Sequence, residues 1–382
     1  MPDTVPVQTL RGKRIGMLTS WASRLGAGVT EAVITQAAIV RSLGGEAVIF
    51  APADKFTEQD RGRFAPSKVV ACRMYGPAQI AFAPGLPRAM IGAELDCLHQ
   101  QGIWMYPSRA GAVWARHTGK PYLITPQGML DPWITARGRW KKALARIGYE
   151  YESWRRAYAF HALSRREAED IQRACGRTDS IVIPNATASE ISAPPVARSP
   201  HFVFVGRIHP KKNVLALVAA WKQLAPANGA SLTIAGWGDD GHVAELRKAI
   251  AHGPPTAEFI GPIFGDDKKQ LLESARFMVL PTHSEGMPFA ILEAWAAGTP
   301  TIMTRECNLP EGFAEGAAIE CGFSAEAVRH SLEIALATDA PQWLGMARNA
   351  QRLATTTFAP RTVANQWSQI YSSAIAASIA AR

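Results

Sequence analysis

Residues 276–297 constrain this chain more than any other stretch. RFMVLP reads as a short buried strand, residues 282–286 as a glycine-bearing turn, and residues 289–297 as an apolar, alanine-rich helix. Glu285 and Glu293 stand eight positions apart. The first therefore lies at the mouth of the helix and the second about two turns inside. A helix that starts after such a turn offers backbone N–H groups without intrahelical acceptors, which is a ready anion site. Upstream, residues 201–206 (HFVFVG) predict another strand, and Arg207 and Lys212 follow it at offsets that let both side chains reach one ligand. Two fixed cations beside a helix start suit a diphosphate.

The strand–turn–helix order recurs. Residues 14–19 (RIGMLT) predict a first strand, 23–28 (SRLGAG) a glycine turn, 29–43 a helix and 47–51 a second strand, the opening of a doubly wound parallel sheet. Further buried strands are expected at 69–73, 94–99, 122–125, 159–162 and 180–184. Ser164 with Glu167 reads as a capping-box start to a helix reaching about residue 174. Residues 187–200 (TASEISAPPVARSP) are small, polar and proline-rich, hence a linker. Strands then follow at 201–206, 231–235, 257–260, 276–281 and 299–303, and residues 362–381 predict a closing helix. The expected division is an N-terminal Rossmann-like domain at 1–190, a second at 191–360, and a terminal helix at 361–382 that returns to the first.

Composition narrows the partners. Residues 1–195 carry 25 Lys+Arg against 16 Asp+Glu, whereas residues 196–382 carry 16 of each, so the whole +9 charge sits on the first half. A one-sided field of this kind attracts an anionic partner. Residues 133–146 concentrate it: Arg137, Arg139, Lys141, Lys142 and Arg146 without an acid, interleaved with Trp133, Trp140 and Leu144. A basic, tryptophan-bearing helix suits an anionic membrane surface, and a solvated positive face is the plain alternative. No nucleic-acid module is recognisable, so no nucleic-acid partner is expected. Residues 1–14 hold no apolar signal-like run, and no stretch approaches the ~20 apolar residues of a membrane span. Five unpatterned cysteines fit reduced thiols and a cytoplasmic setting, on or off the inner face of the plasma membrane.

The segments GRIHPKKN and PTHSEGMPFAILEAWAAGTPTI, with LHQQGIWMYPS and TPQGMLDPW in the first half, resemble retaining family 4 glycosyltransferases. The resemblance extends from about residue 15 to residue 305 and points to bacterial enzymes of exopolysaccharide or lipid-linked oligosaccharide synthesis. It implies the GT-B fold, two Rossmann-like doubly wound parallel-sheet domains facing across a cleft. It further implies a nucleotide-diphosphate sugar as donor, a saccharide or lipid-linked hydroxyl as acceptor, and no cofactor.

Carried onto this chain, the resemblance gives Arg207 and Lys212 the leaving diphosphate. Glu285 takes hydroxyls of the transferred sugar, and Glu293 those of the ribose. Gly286 and the backbone of Met287, Phe289 and Ala290 face sugar and phosphates, Gly236 lets backbone approach the ligand, and the loop at Ile263 meets the base. Gly26 and Gly28 form the loop on the acceptor side. Gln127, like Gln101, stands where related enzymes commonly carry histidine. Glutamine can hydrogen-bond a hydroxyl but cannot hold a proton. This leaves open a nucleotide-sugar-binding homologue with weak or no catalysis. A phosphorylase would need a lysine for pyridoxal phosphate, and none announces itself. Asp239-Asp240 and Asp266-Asp267 are read as solvated loop pairs, so no metal site is expected. Lys211 and His209 are read as shaping their loop, Asp131 as a helix N-cap, and His99, His117 and His161 as structural.

Overall fold

The computed structural model describes residues 9–187, 190–224 and 229–380. The readings made for the first eight residues, for 188–189 of the linker and for residue 381 lie outside them. The chain forms two compact units: one runs through Asn185 and takes in the chain from Pro360 onward, and the other is Ala186–Ala359.

The first unit holds strands β1 (Arg14–Thr19), β2 (Glu46–Ala53), β3 (Lys68–Arg73), β4 (Cys97–Gln101), β5 (Tyr122–Thr125), β6 (Ala159–Ala162) and β7 (Ile181–Val182). They form one sheet in the order β3-β2-β1-β4-β5-β6-β7, every pair parallel. The second unit holds β8 (His201–Val205), β9 (Ser231–Ala235), β10 (Ala257–Gly261), β11 (Phe277–Leu280), β12 (Thr301–Met303) and β13 (Ala318–Glu320), ordered β10-β9-β8-β11-β12-β13 and again parallel. Both orders run outward from the first strand of the unit and then reverse, which is the doubly wound Rossmann pattern. The strands read as nearly continuous apolar runs because helices cover both faces. Phe202 of β8 and Phe277 of β11 stack at 5.9 Å within the second core.

Several local expectations shift. The strand expected at 94–99 starts instead at Cys97, because Glu94 takes a left-handed backbone (φ 52°) and the Asp96 carboxylate accepts the Arg14 N–H at 2.8 Å. Gln101 consequently ends a buried strand. Ser164 does cap its helix (Arg165–Cys175), accepting the Glu167 N–H, but the Glu167 carboxylate does not close a capping box. It accepts from the Gly128 and Leu163 N–H groups at 2.6 and 2.7 Å. The acidic pairs are helix starts rather than loops: Asp239 caps Asp240–Ala251, and Asp266 and Asp267 fill the first turn of Gly265–Ser274, where the helix dipole favours them. β13 was not foreseen; three half-covered residues carry no periodic signal. The linker is tied to the second unit, with Ser192 N–H on Ala296 O and the Gln351 amide on the carbonyls of Ser192 and Ala193.

The basic stretch is less regular than expected. Trp133 belongs to the short helix Pro132–Thr135, capped by Asp131, and Arg137 lies 3.3 Å over its ring. The next helix is Arg139–Ala145, followed by a π turn at Arg146–Glu150 and a helix at Tyr151–Arg156. Lys142 turns inward to the Ile134 carbonyl and Arg146 to that of Ala174.

Glu150 is fully buried on the π turn and accepts the Trp104 N–H at 2.6 Å. Burial pushes its carboxyl up to about 7, with the Trp104 N–H opposing. A carboxyl raised on folding contributes stability that is full below the unfolded value near 4.5 and is lost as pH rises through about 7. The loss across that window is of the order of 3 kcal/mol. Glu150→Gln, which fixes the uncharged form, should flatten this part of the pH–stability curve measured by chemical denaturation. An unchanged slope would contradict the assignment.

Candidate active site

The second sheet reverses direction between β8 and β11, and α/β sheets bind ligands outside the carboxyl ends of strands at such a reversal. The loops leaving β8, β9, β10 and β11 carry Arg207 and Lys212, Gly236, Ile263, and Glu285 to Ala290 respectively. Sequence-distant site residues are therefore brought to one edge of one sheet.

Glu285 is the centre of the cluster. Its Oε1 lies 2.7 Å from Lys212 Nζ and accepts the Thr282 hydroxyl at 2.7 Å, while its Oε2 lies 3.9 Å from Lys211 Nζ. All three charged side chains are largely buried. Burial favours the neutral acid, but Lys212, Lys211 and Thr282 outweigh it, and the carboxyl stays below its ordinary range. Arg207 is half-buried beside it; burial lowers its pKa and the Glu285 charge opposes that. Glu285 caps no helix: the helix Phe289–Ala296 has Pro288 at its N-cap without a side-chain bond.

The β8 loop is built to hold this geometry. Lys212 closes a 3-10 turn whose N-cap His209 accepts the Lys211 N–H at 3.1 Å. The Lys211 carbonyl receives the His283 N–H at 2.8 Å, locking the β8 loop to the β11 loop. His209 and Lys211 do shape the loop, yet Lys211 also adds its charge beside Glu285.

Gly236 and Gly238 answer a local steric need. A Cβ on Gly236 would sit 1.8 Å from the Gly206 carbonyl oxygen, and one on Gly238 2.0 Å from that of Ile208. The bare backbone is required by the neighbouring loop, which runs alongside with Ile208 N–H on Trp237 O. The glycines thus fix the segment bearing Arg207. Gly236 N–H also donates to Gly261 O, tying in the loop that continues to half-buried Ile263.

Gly286 and Met287 lie in the turn and Phe289 and Ala290 open the helix, whose first-turn N–H groups have no intrahelical acceptor. Glu293, one turn further, is not a solvated helix residue: its carboxylate meets Lys268 of helix Gly265–Ser274 at 2.5 Å. Asn308 was missed from sequence. Its side-chain amide donates to the carbonyls of Glu285 and Gly286 at 2.7 and 3.0 Å, holding the turn from behind. Its left-handed backbone (φ 58°) after a 3-10 turn is the signal that marks it, since asparagine tolerates that region best among non-glycines. Thr304, whose hydroxyl donates to Thr282 O, was missed as well.

Gly26, Gly28 and Gln127 belong to the other unit. Gly26 is glycine because a Cβ would meet Thr30 Oγ1 at 2.3 Å. Gly28 opens the helix Gly28–Ser42 in open space, after Ala27 in a strained conformation (φ 46°, ψ −123°). Gln127 also has a left-handed backbone (φ 58°), and its side-chain amide meets that of Gln101 at 2.7 Å. His99 and His161 are buried and hydrogen-bonded within the same unit.

Residues 27–186 match the family Glycosyl transferase 4-like domain and residues 199–337 match Glycosyl transferases group 1. The chain belongs to the GT-B glycosyltransferases. Among curated relatives, an uncharacterised glycosyltransferase of Methanocaldococcus jannaschii is 33% identical over 28% of this chain, spanning 28% of the relative. Sulfoquinovosyl transferase SQD2 of Arabidopsis thaliana is matched over 23% of its length at 30% identity. These matches therefore span less than a third of either relative. Phosphatidyl-myo-inositol mannosyltransferase of Mycobacterium leprae is 25% identical over 76% of this chain and 78% of its own. HepE of Anabaena, solved with UDP and glucose, superposes with a TM-score of 0.78 over 94% of this chain and all of its own at 18% identity, a likeness of fold.

The glycine spacing of this glycosyltransferase gives a direct test. Gly236→Ala forces the β8 and β9 loops apart and should cost on the order of 3 kcal/mol in chemical denaturation. A wild-type midpoint would show that the two loops do not pack as described.

Proposed function

We propose that this glycosyltransferase moves a hexose from a nucleoside diphosphate sugar to a hydroxyl of a saccharide or lipid-linked acceptor, with retention at the anomeric carbon. The observation that carries the reading is the surplus of positive charge at the reversal of the second sheet. Arg207 and Lys212 both act on the carboxylate of Glu285. The relatives agree with this direction: M. leprae contributes a mannosyltransferase, Escherichia coli an O-antigen chain mannosyltransferase, and WaaG is involved in lipopolysaccharide biosynthesis. The same comparison supports a place in bacterial surface polysaccharide synthesis.

In this reading the diphosphate lies against Arg207 and Lys212 and the hexose against Glu285, with the ribose towards Glu293. As the bond from the anomeric carbon to the diphosphate oxygen breaks, negative charge grows on that oxygen, and fixed cations in a dry site stabilise it more than water does. The acceptor hydroxyl attacks from the same face, its oxygen bonds to the anomeric carbon, and its proton passes to the departing diphosphate oxygen. The products are a glycoside of unchanged anomeric form and a nucleoside diphosphate. Arg207 and Lys212 bring the charge that a metal ion otherwise supplies, so transfer is metal-independent and uses no cofactor.

A nucleotide-sugar panel read by melting temperature identifies the donor, since a ligand bound to the folded state raises the melting point by mass action. Arg207→Ala should remove the stabilisation by every nucleoside diphosphate in the panel. Proton NMR of the product with the stabilising donor should show the donor's own anomer. An inverted anomer would overturn the retaining mechanism, and binding without turnover would favour a non-catalytic homologue.

The same proposal places the enzyme on an anionic membrane surface. Trp140 and Leu144 lie one turn apart on helix Arg139–Ala145 and Ile147 follows, with exposures of 66%, 63% and 76%. Exposed Arg139 and Lys141 flank them. Among the described residues no helix is long and apolar enough to cross a membrane. Apolar anchors ringed by cations suit the interfacial layer. Wild-type protein should cosediment with vesicles containing anionic lipid, and Trp140→Ala combined with Leu144→Ala should release it. Retention on neutral vesicles alone, or equal retention of the variant, would contradict this.

A further inference from the structure

Lys268 and Glu293 meet across two helices of the second unit. Lys268 lies one turn into the helix Gly265–Ser274, which follows the Ile263 loop. Glu293 lies one turn into the helix Phe289–Ala296, beyond the turn that carries Glu285. The Lys268 ammonium donates to Glu293 Oε1 at 2.5 Å, and both side chains are mostly out of water. Helix packing imposes this meeting. At the far ends of the same two helices, Arg198 donates to the carbonyls of Leu272 and Ala275 at 3.3 and 2.7 Å and to that of Ala297 at 2.8 Å. Ser192 joins the same ends, its hydroxyl on Glu273 and its N–H on the Ala296 carbonyl. Lys269, the next residue, reaches Glu190 instead.

The chemistry of the pair is complementary to a vicinal diol. An ammonium has three N–H donors and no acceptor, whereas an ionised carboxylate only accepts. Among the described residues Lys268 makes one hydrogen bond, the one to Glu293, so two of its donors remain for a ligand. A hydroxyl that gives its proton to the carboxylate keeps lone pairs for the ammonium beside it. The pair can therefore satisfy one hydroxyl completely and reach a second on the adjacent carbon. Stability alone does not call for such a pair, because apolar side chains of like volume often replace a buried ion pair at no loss. Charge supplies a further reason. Glu293 lies about two helical turns beyond Glu285. An uncompensated carboxylate there would repel a diphosphate, and Lys268 cancels that repulsion.

We infer that Lys268 is a specificity-determining residue for the nucleotide: together with Glu293 it recognises the 2′,3′-diol of the ribose, donating to the hydroxyl oxygens while the carboxylate accepts their protons. That the diol is a ribose rests on the proposed function, in which the ribose lies towards Glu293. The part played by Lys268 rests on its contact with Glu293 and on its remaining donors. Nothing in the sequence singled Lys268 out, because only the packing of the two helices brings it to Glu293.

Isothermal titration calorimetry of the full chain with UDP, ADP and GDP, each beside its 2′,3′-dideoxy counterpart, measures recognition of the diol. The nucleotide that binds should lose about a hundredfold in affinity without its diol. Lys268→Met should cut that ratio about tenfold at a similar melting temperature, since one charged partner of the diol is gone. Lys268→Arg, which keeps the charge and the donors, should retain most of the ratio. Lys268→Gln gives the same reading as Lys268→Met with a polar side chain, should methionine prevent folding. Equal loss of affinity for both kinds of ligand in the uncharged variants would mark a merely structural ion pair and overturn the inference. Equal wild-type affinity for both kinds would overturn it too. Those two results leave the proposed function standing, whereas a wild-type protein that binds none of the nucleotides would sink the proposed function and this inference with it.

Discussion

One buried carboxylate organises the second unit. Glu285 is removed from water almost completely, which would neutralise an isolated acid, yet it stays ionised because Lys212 is in direct contact and Thr282 donates to it. The pair is in turn a consequence of topology. Lys212 follows β8 and Glu285 follows β11, and only the reversal of strand order makes those two strands neighbours. The surrounding bonds serve the same end: Asn308 holds the turn from behind, the Lys211 carbonyl joins the two loops, and the absent side chains of Gly236 and Gly238 let the Arg207 segment lie flat. Lys212, Lys211 and Arg207 all act on this one carboxylate.

The first unit solves a different problem with neutral groups. Its buried polar residues are linked through Gln36, Tyr371, His99, Thr125 and His161, so that a helix near the chain's end (Pro360–Ala380) contributes to the polarity of a loop after β5. The hydrogen bonds of this network are made between uncharged groups. Such a network is specific in direction, and its cost if half-satisfied is high. Glu167 adds a carboxyl pushed up to about 7 by burial, against the N–H bonds from Gly128 and Leu163.

Much of this was legible in the sequence. The apolar strands and the glycine turns after them specified both sheets, and β1, β5, β6 and β9 fall where periodicity puts them. Arg207, Lys212 and Glu285 were singled out by their offsets after predicted strands, and the structure brings Lys212 against Glu285. What escaped was set by tertiary contact. That Gly236 must also clear a neighbouring loop depends on where Gly206 lies, thirty residues away. Glu167 had a good local partner in Ser164 but found better ones in two backbone N–H groups, one of them distant. Asn308 has no motif. Its role depends on its left-handed turn, and Lys268 reaches Glu293 only once two helices pack.

The most direct measurement of the central claim is a crystal structure with a bound nucleoside diphosphate sugar. The account predicts diphosphate oxygens within hydrogen-bonding distance of Arg207 and Lys212, and the sugar against Glu285. A diphosphate bound elsewhere, with the Lys212–Glu285 pair closed and untouched by ligand, would contradict it.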